Sequence, residues 1–281
     1  MAKRRLKLAL RVIVVLCSAS FIIHIVSALT LDTVIEFKSV PFSSANLPPE
    51  MDGYKIAFIT DTHSIALDDL EKAVSELNRR QPDLLLLGGD YHPSYEDLKC
   101  SLEVLSGAVT TDGIYGVEGN HDSYAALFSA MEQNSIHPLS NSGARIRDRF
   151  YLAGVADFWN RAADVEGAVE EAKADDFVIL VAHNPDITMK QNTKSIDLAL
   201  SGHTHGGHIT VFGIWAPMLT FHKIITDYGQ RFMSGWSESR DGVPVYVSNG
   251  TGKYTDVPRI FARPQIIMLT LHVEQGDGSS L

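Results

Sequence analysis

KIAFITDTH, at residues 55–63, is a short apolar run that ends abruptly in an aspartate and a histidine. A continuous apolar run of this length is typical of a strand that is buried on both faces of a sheet. Polar residues directly after such a strand lie at the carboxyl edge of the sheet, where open α/β folds assemble their sites. The stretch therefore predicts a buried strand and the beginning of a site, and later parts of the sequence repeat this arrangement.

Further apolar runs follow along the chain, and amphipathic stretches separate several of them. The runs are DLLLLGG (83–89), GIYGVEG (113–119), DFVILVA (176–182), IDLALSG (196–202), PVYVSNG (244–250) and PQIIMLTL (264–271). The amphipathic stretches predict helices at 68–80, 95–108, 123–134 and 164–173. Residues 144–155 have the pattern of a β-hairpin instead. Apolar strands that alternate with helices predict the α/β class, with a mixed sheet in layers.

The first five runs end in side chains of the types that bind metals. These are Asp61, His63, Asp90, Asn120, His183, His203 and His205. Carboxylate and amide oxygens together with neutral imidazoles suit divalent first-row metals, and no thiolate favours a structural zinc site. The sequence therefore predicts a dinuclear site bridged by Asp90. One ion is assigned to Asp61, His63 and His205, and the other to Asn120, His183 and His203.

Glycine directly precedes three of these residues, at Gly89, Gly119 and Gly202. Because glycine has no side chain, the backbone can approach a neighbour closely and turn sharply there. Successive residues of an extended segment project to opposite sides, so His203 and His205, two residues apart around Thr204, would share one side of a regular strand. We therefore expect these two histidines to reach different ions if the segment leaves regular strand geometry.

The order of these residues resembles the calcineurin-like metallophosphoesterase superfamily. The matching motifs are Asp61-x-His63, Gly89-Asp90, Gly119-Asn120-His121-Asp122, His183 and Gly202-His203-x-His205. The segments GHTHGG, YVSNGTG and PRIFARPQIIMLTL carry a closer resemblance to its bacterial membrane-associated YaeI/YkuE-like branch. The resemblance runs from Met51 to Val273. It implies a four-layer α/β sandwich of mixed sheets flanked by helices, with two ions of manganese, iron or zinc at the sheet edge.

The predicted chemistry is the hydrolysis of a phosphodiester or a phosphomonoester. Two ions that share Asp90 would hold a bridging hydroxide that attacks phosphorus. His121 has no assigned ligand role, and it is the candidate for protonating the leaving group or stabilising charge in the transition state. Asp122 is expected to orient the ring of His121, and it is equally well placed as the N-cap of the helix predicted at 123–134.

MAKRRLKLALR at the N-terminus carries five basic residues, and an apolar run from Val12 to Leu29 follows it. A run of roughly 18 residues is just long enough to span a bilayer, and a basic flank keeps its own end in the cytoplasm. We favour an uncleaved anchor in the cell membrane, with the catalytic domain outside the cytoplasm. A signal peptide cleaved after Ala28 would give a secreted protein instead, and a buried soluble helix is the third alternative.

The net charge of the 281-residue chain is −10. Without the five basic residues of the leader, 19 basic residues remain against 34 acidic ones. This balance argues against a nucleic-acid-binding surface, which needs clustered lysine and arginine. The expected partners are a phosphate-ester substrate and the membrane itself. A membrane anchor favours a substrate that is linked to a lipid.

The predicted organisation is a leader at 1–30, a linker or edge strand at 31–52, a metallophosphoesterase domain at 53–275 and a disordered tail at 276–281. Two rival functions remain open. The first is a pyrophosphatase that uses the same metal site on a nucleotide-lipid such as UDP-diacylglucosamine. The second is a non-catalytic interaction module on the same fold. Residues 206–228 are rich in aromatic and apolar side chains, which fit lipid contact and simple packing equally well.

Overall fold

Two six-stranded sheets that pack face to face form the centre of the protein. They are described from a computed structural model that covers residues 2–92, 94–122, 124–159, 162–221, 225–253 and 258–274. The strands are β1 (Glu36–Ser44), β2 (Lys55–Ile59), β3 (Leu84–Leu87), β4 (Ile114–Gly116), β5 (His137–Pro138), β6 (Ser142–Arg147), β7 (Phe150–Gly154), β8 (Phe177–Val181), β9 (Leu198–Ser201), β10 (Gly235–Glu238), β11 (Pro244–Val247) and β12 (Gln265–Val273). The helices are α1 (Ala2–Leu29), α2 (Leu67–Arg80), α3 (Tyr95–Ser106), α4 (Tyr124–Gln133), α5 (Val165–Ala168), α6 (Ile187–Lys190) and α7 (Pro217–Phe221).

The first sheet has the strand order β1-β12-β2-β3-β4-β5. Strands β2 to β5 are parallel to one another, whereas β12 runs antiparallel to β2. Strand β1 pairs in parallel with β12 over its whole length, so residues 36–44 form an edge strand of this sheet. The predicted domain boundaries stay predictions, and the tail at 276–281 lies outside the described residues.

The second sheet has the strand order β10-β11-β9-β8-β7-β6. Its central strands β7, β8, β9 and β11 are parallel. Strands β6 and β7 are antiparallel neighbours, with Ser142 opposite Gly154. The hairpin predicted at 144–155 is therefore confirmed.

Helices cover the outer faces of both sheets, which confirms the predicted four-layer α/β sandwich. Helices α2, α3 and α4 pack on the first sheet, and α5 and α6 pack on the second. Helix α5 is shorter than the stretch predicted at 164–173. Asp164 is its N-cap, and the carboxylate of this residue accepts a hydrogen bond from Gly167 N (3.1 Å). The helix ends at Ala168. Gly167 lies inside this helix, where a glycine lowers helix stability by about 1 kcal/mol relative to alanine. This loss disfavours extension of the helix to residue 173.

The central strands are apolar throughout because each of them is covered on both faces. In β2, Ile56 and Phe58 belong to the core between the two sheets. Their neighbours Ala57 and Ile59 belong instead to the core between the first sheet and its helices. Successive strand residues point to opposite faces, so a strand between two layers needs apolar residues at every position.

Helix α1 projects its apolar side chains into solvent along most of its length. From Leu6 to Leu29, its large apolar residues are mostly more than half exposed. The span from Lys3 to Thr33 is long and apolar enough to cross a membrane. A buried soluble helix, one of the three alternatives for this segment, would not expose these side chains. A membrane anchor and a signal sequence both remain compatible with the helix.

We predict that Phe58→Ala destabilises the protein by about 3–5 kcal/mol, because it opens a cavity between the two sheets. Urea unfolding of the full chain in detergent, followed by circular dichroism, measures this loss. The control is Val109→Ala, since Val109 is 71% exposed and its replacement should change stability by less than about 0.5 kcal/mol. Equal effects of the two substitutions would contradict the described core.

Candidate metal centre

The carboxyl ends of strands from both sheets meet at one edge of the sandwich, and the predicted ligands follow those ends. The first sheet contributes the residues that come after β2, β3 and β4, which are Asp61, His63, Asp90 and Asn120. The second sheet contributes the residues that come after β8 and β9, which are His183, His203 and His205. The structure therefore brings together all seven of the residues that the sequence singled out as ligands.

Five of the seven residues have a backbone φ in the left-handed region, which non-glycine residues rarely adopt. They are Asp61 (53°), His63 (39°), Asp90 (57°), His203 (71°) and His205 (51°). Each such residue costs on the order of 1 kcal/mol, and such strain is usually found at functional sites. Backbone hydrogen bonds from Asp61 N to Gly89 O (2.9 Å) and from His63 N to Asp90 O (3.1 Å) hold these turns against each other.

Asp61, His63 and His205 form the first donor group, in which one ligand atom of each residue lies within 4.8 Å of the others. His63 Nε2 is 3.2 Å from His205 Nε2. Asp61 Oδ1 lies 3.9 Å from the first of these nitrogens and 3.6 Å from the second. Thr60 Oγ1 (2.8 Å) and His203 N (3.0 Å) donate to Asp61 Oδ2 and fix the carboxylate. Two imidazole nitrogens that converge beside a carboxylate oxygen suit a cation.

Asp61, Asp90 and His183 form the second donor group. His183 Nε2 lies 3.3 Å from Asp90 Oδ2 and 3.1 Å from Asn120 Oδ1. The same oxygen of Asp90 is 3.5 Å from His63 Nε2, which belongs to the first group. Asp90 therefore reaches a residue of each group, and Asp61 belongs to both groups.

His203 lies against the second group, with its ring centroid 5.0 Å from that of His183. Its Nε2 is 2.7 Å from the carbonyl oxygen of Ile225. Because a carbonyl only accepts hydrogen bonds, Nε2 carries the proton, and Nδ1 remains as the possible ligand atom. The ring of Trp159 packs edge-on against His203 at 4.5 Å.

Burial keeps two of the histidines neutral. It lowers the pKa of His63 to about 4. Burial and the nearby Arg259 guanidinium together lower the pKa of His205 well below its usual value. At neutral pH both imidazoles therefore offer a lone pair, which is the protonation state that metal ligation needs.

Asp90 and His183 form a charged pair when no cation is present. Burial disfavours both charges, but the attraction between the two side chains outweighs it. The pKa of Asp90 is far below its usual range, and the pKa of His183 is raised to about 10. Metal-binding histidines must be deprotonated, so a divalent cation beside Asp90 would replace the proton on His183. The donor set therefore fits metal ions in chemistry as well as in position.

His121, the predicted catalytic residue, sits directly beside the two donor groups. Its backbone N–H donates to Asp90 Oδ1 at 2.9 Å. Its ring centroid is 5.7 Å from that of His63. The carboxylate of Asp90 therefore holds the backbone of His121 next to the two donor groups.

Asp122 fixes the two loops that carry Asp90 and Asn120. Its Oδ2 accepts from Asp90 N (2.8 Å) and Gly119 N (2.7 Å), and its Oδ1 accepts from Tyr91 N (3.0 Å). This role for Asp122 was not foreseen from the sequence. Its predicted orientation of the His121 ring stays a prediction.

Arg259 is a fully buried cation beside the site, and sequence reasoning missed it. Its guanidinium donates to the backbone carbonyls of Asn249 (2.7 Å), Gly252 (2.5 Å) and Ala262 (3.1 Å). Its Nη2 also lies 3.2 Å from His205 Nδ1, on the side of the ring away from Asp61. An isolated arginine gives no sign in a sequence that it will be buried, so no signal was available.

The close approach predicted at the glycines is present in the structure. A Cβ atom on Gly202 would lie 2.2 Å from Asp61 Oδ2, and one on Gly119 would lie 2.2 Å from Asp90 Oδ1. Gly89 has a φ of 89° and packs directly on the backbone of Gly119. The carboxylates of the site thus occupy the space that side chains would fill at these positions.

Comparison with known proteins establishes the family. The family described as calcineurin-like phosphoesterase matches residues 54–207, which is more than half of the chain and includes every predicted ligand. The chain belongs to the calcineurin-like phosphoesterase family. This confirms the resemblance read from the sequence, and it assigns the chain to a family of metal-dependent phosphoesterases.

Bacterial relatives support the predicted branch. The uncharacterized metallophosphoesterase YkuE of Bacillus subtilis is 28% identical in an alignment 256 residues long, which covers 85% of this chain and 86% of the relative. The phosphodiesterase YaeI of Escherichia coli is 28% identical, over 78% of this chain and 82% of the relative.

A relative in Danio rerio is named "Transmembrane protein with metallophosphoesterase domain" and is 29% identical over 80% of this chain. The chain spans 54% of that relative and 62% of a metallophosphoesterase of Helicobacter pylori.

We predict that Gly202→Ala lowers the metal content of the purified protein, because the new methyl group would displace the carboxylate of Asp61. Elemental analysis by mass spectrometry measures the metal bound per chain. The control is Gly107→Ala, since Gly107 is the residue that follows α3, far from the donor groups in the chain, and has an ordinary φ of −70°. Unchanged metal content in a folded Gly202→Ala protein would show that Asp61 is not a ligand.

Proposed function

We propose that this protein is a membrane-associated phosphodiesterase that uses two divalent metal ions at the edge shared by its two sheets. The position of Asp90 carries the proposal. Its Oδ2 lies 3.5 Å from His63 Nε2 on one side and 3.3 Å from His183 Nε2 on the other. A carboxylate within reach of two separate donor groups is what a shared ligand in a dinuclear site needs.

Each ion would be held by three residues in addition to Asp90. The first set is Asp61, His63 and His205, and the second is Asn120, His183 and His203. Oxygen donors mixed with neutral imidazoles suit manganese, iron and zinc. When bound, the two ions would polarise the phosphoryl oxygens and lower the pKa of a water molecule beside the phosphorus.

Backbone carbonyls orient two of the histidines for this task. His183 Nδ1 lies 2.8 Å from Gly88 O, so Nδ1 carries the proton and Nε2 is directed toward Asp90. Ile225 O does the same for the ring of His203 through Nε2. Hydrogen bonds of this kind commonly fix the tautomer and the angle of metal-binding histidines.

His121 would supply the proton that the leaving oxygen needs. The hydrogen bond from its backbone N–H to Asp90 Oδ1 supports this role, because it ties residue 121 to the proposed shared ligand. Asp122 would support it by fixing the loop on which it lies, and in addition by orienting its ring. General acid assistance of this kind is commonly worth about 10²–10⁴-fold in rate.

The name of a relative supports the proposed preference of this protein for phosphodiesters, because the Escherichia coli protein is named a phosphodiesterase. The apolar helix α1 and its basic N-terminal flank support a single-span anchor with the active site outside the cytoplasm. A lipid-linked phosphate ester would be within reach of an anchored site. A nucleotide-lipid pyrophosphatase would use the same residues, and it is the alternative that a substrate panel separates.

We predict that Asp90→Asn removes both bound metal and phosphodiester hydrolysis, because the neutral amide cannot serve two cations. Metal per chain and turnover of bis(p-nitrophenyl) phosphate are the measurements. Asp175→Asn is the matched control, since this carboxylate is exposed on the surface. Full activity in a metal-free Asp90→Asn protein would end the dinuclear proposal.

We predict that His121→Ala keeps its metal but loses about 10²–10⁴-fold in turnover. The loss should be larger for an alkyl ester than for a nitrophenyl ester, because only the alkoxide needs a proton in order to leave. Comparing the two substrates separates a general acid from a residue that only shapes the site. His272→Ala is the control, and an equal loss on both esters would argue against proton donation.

A substrate panel across Mn²⁺, Fe²⁺, Zn²⁺ and Mg²⁺ tests the activity itself. It compares an aryl phosphodiester, an aryl phosphomonoester and UDP-diacylglucosamine on the full chain in detergent. We expect the diester to be hydrolysed fastest. Hydrolysis of the nucleotide-lipid alone would favour the pyrophosphatase, and two bound metals without hydrolysis of any ester would favour an interaction module.

A further inference from the structure

Residues 209–221, here called the apolar loop, expose large apolar side chains that the proposed function leaves unexplained. The sequence ITVFGIWAPMLTF contains no charged residue. Ile214 is 80% exposed and Phe221 is 71% exposed, and Val211, Phe212 and Met218 are each more than 40% exposed. Simple packing, one of the two interpretations of this segment, would have buried them. A contiguous exposed apolar patch of this kind marks a surface for a protein or membrane partner.

Many polar groups of the apolar loop form hydrogen bonds within the protein. Five backbone N–H groups of the loop donate to acceptors within the protein. They belong to Ile209, Thr210, Val211, Gly213 and Ile214. The indole Nε1 of Trp215 donates to Thr220 Oγ1 at 2.7 Å. In a bilayer, each unsatisfied polar group costs several kcal/mol. The loop therefore combines an apolar exterior with many hydrogen bonds inside the protein, which suits contact with lipid.

The apolar loop lies directly beside α1. The ring of His24 packs on Phe212 at 4.5 Å and on Phe261 at 4.9 Å. His24 is five residues before the end of α1, which corresponds to about 7.5 Å along the helix axis. Part of the loop is therefore level with the apolar run of α1 rather than beyond its end.

Hydrogen bonds fix the end of α1 to the domain. The carboxylate of Asp32, just after the helix, accepts from Ser27 Oγ (2.8 Å) and from Phe261 N (2.8 Å). Thr210 N donates to Ile260 O at 2.9 Å, which ties the apolar loop to the same segment. Because these parts are bonded to one another, a bilayer that surrounds α1 also meets the loop.

An apolar groove of 760 Å³ separates α1 from residues 258–260. Leu16, Phe21 and Ile25 line it on the side of the helix, and Pro258 and Ile260 line it on the side of the domain. Lipid acyl chains would fill such a space without leaving polar groups unpaired.

We propose that the apolar loop is a lipid-facing surface that, together with α1, holds the metal centre against the bilayer. This inference rests on the membrane location proposed above. The loop begins four residues after His205, and it is followed in the chain by Ile225, whose carbonyl accepts a hydrogen bond from His203. A bilayer is favoured over a second protein as the occupant because the loop is continuous with the exposed apolar face of α1.

Single-cysteine variants of the full chain, labelled with the fluorophore NBD, test this contact. The protein is reconstituted into vesicles of phosphatidylcholine and phosphatidylglycerol, and quenching by spin-labelled lipid is compared with quenching by aqueous iodide. The test site is Ile214→Cys in a Cys17→Ala, Cys100→Ser background, with Phe221→Cys as a second position. Val109→Cys in that background is the exposed control on the opposite edge of the sheet. A Cys100→Ser protein that keeps the native Cys17 reports on α1.

We expect lipid quenching at position 214 to exceed that at position 109 several-fold and to approach that at Cys17. Quenching at Cys17 but not at positions 214 and 221 overturns the inference while leaving the membrane location intact. Absence of lipid quenching at Cys17 overturns the membrane location and the inference together. Shielding of position 214 from both quenchers shows that protein covers the loop, which also overturns the inference. Hydrolysis of a soluble aryl diester by each labelled protein reports on the metal site separately.

Discussion

The contact between the carboxyl edges of the two sheets is the constraint on which the site depends. Facing sheets lie about 10 Å apart, so side chains that lean in from both edges can meet between them. Asp90 comes from the first sheet and His183 from the second, and they meet at 3.3 Å. The apolar core between the sheets, which includes Phe58 and Phe177, therefore sets the distance between the halves of the candidate centre.

This convergence has a cost in backbone strain. Five predicted ligands adopt left-handed conformations, which together cost on the order of 5 kcal/mol. That is comparable with the whole stability of a typical domain, about 5–15 kcal/mol, so packing elsewhere must offset it. Asp122 contributes at one of these turns by accepting hydrogen bonds from Asp90 N and Tyr91 N. A cation that binds only the folded state would offset a further part.

The sequence predicted the strands and the candidate site well because both depend on local patterns. An apolar run that ends in Asp61 or His183 predicts both a strand and the position of that residue at the carboxyl edge of the sheet. Neither prediction requires knowing which strand lies next to it. The division of these strands between two sheets, the burial of Arg259 and the backbone contacts of Asp122 depend instead on residues far apart in the chain. Helix α5 was overestimated because amphipathic spacing extends past Gly167, whereas the helix itself ends at Ala168.

The apolar loop connects the membrane question to the chemistry of the site. The tautomer of His203 depends on the carbonyl of Ile225, and the apolar loop lies in the chain between His205 and that carbonyl. If lipid contact fixes the position of the loop, it also fixes the hydrogen bond that leaves Nδ1 of His203 as the ligand atom. Anchoring would then do more than raise the local concentration of a lipid substrate, because the same contact would help to hold the second donor set in place.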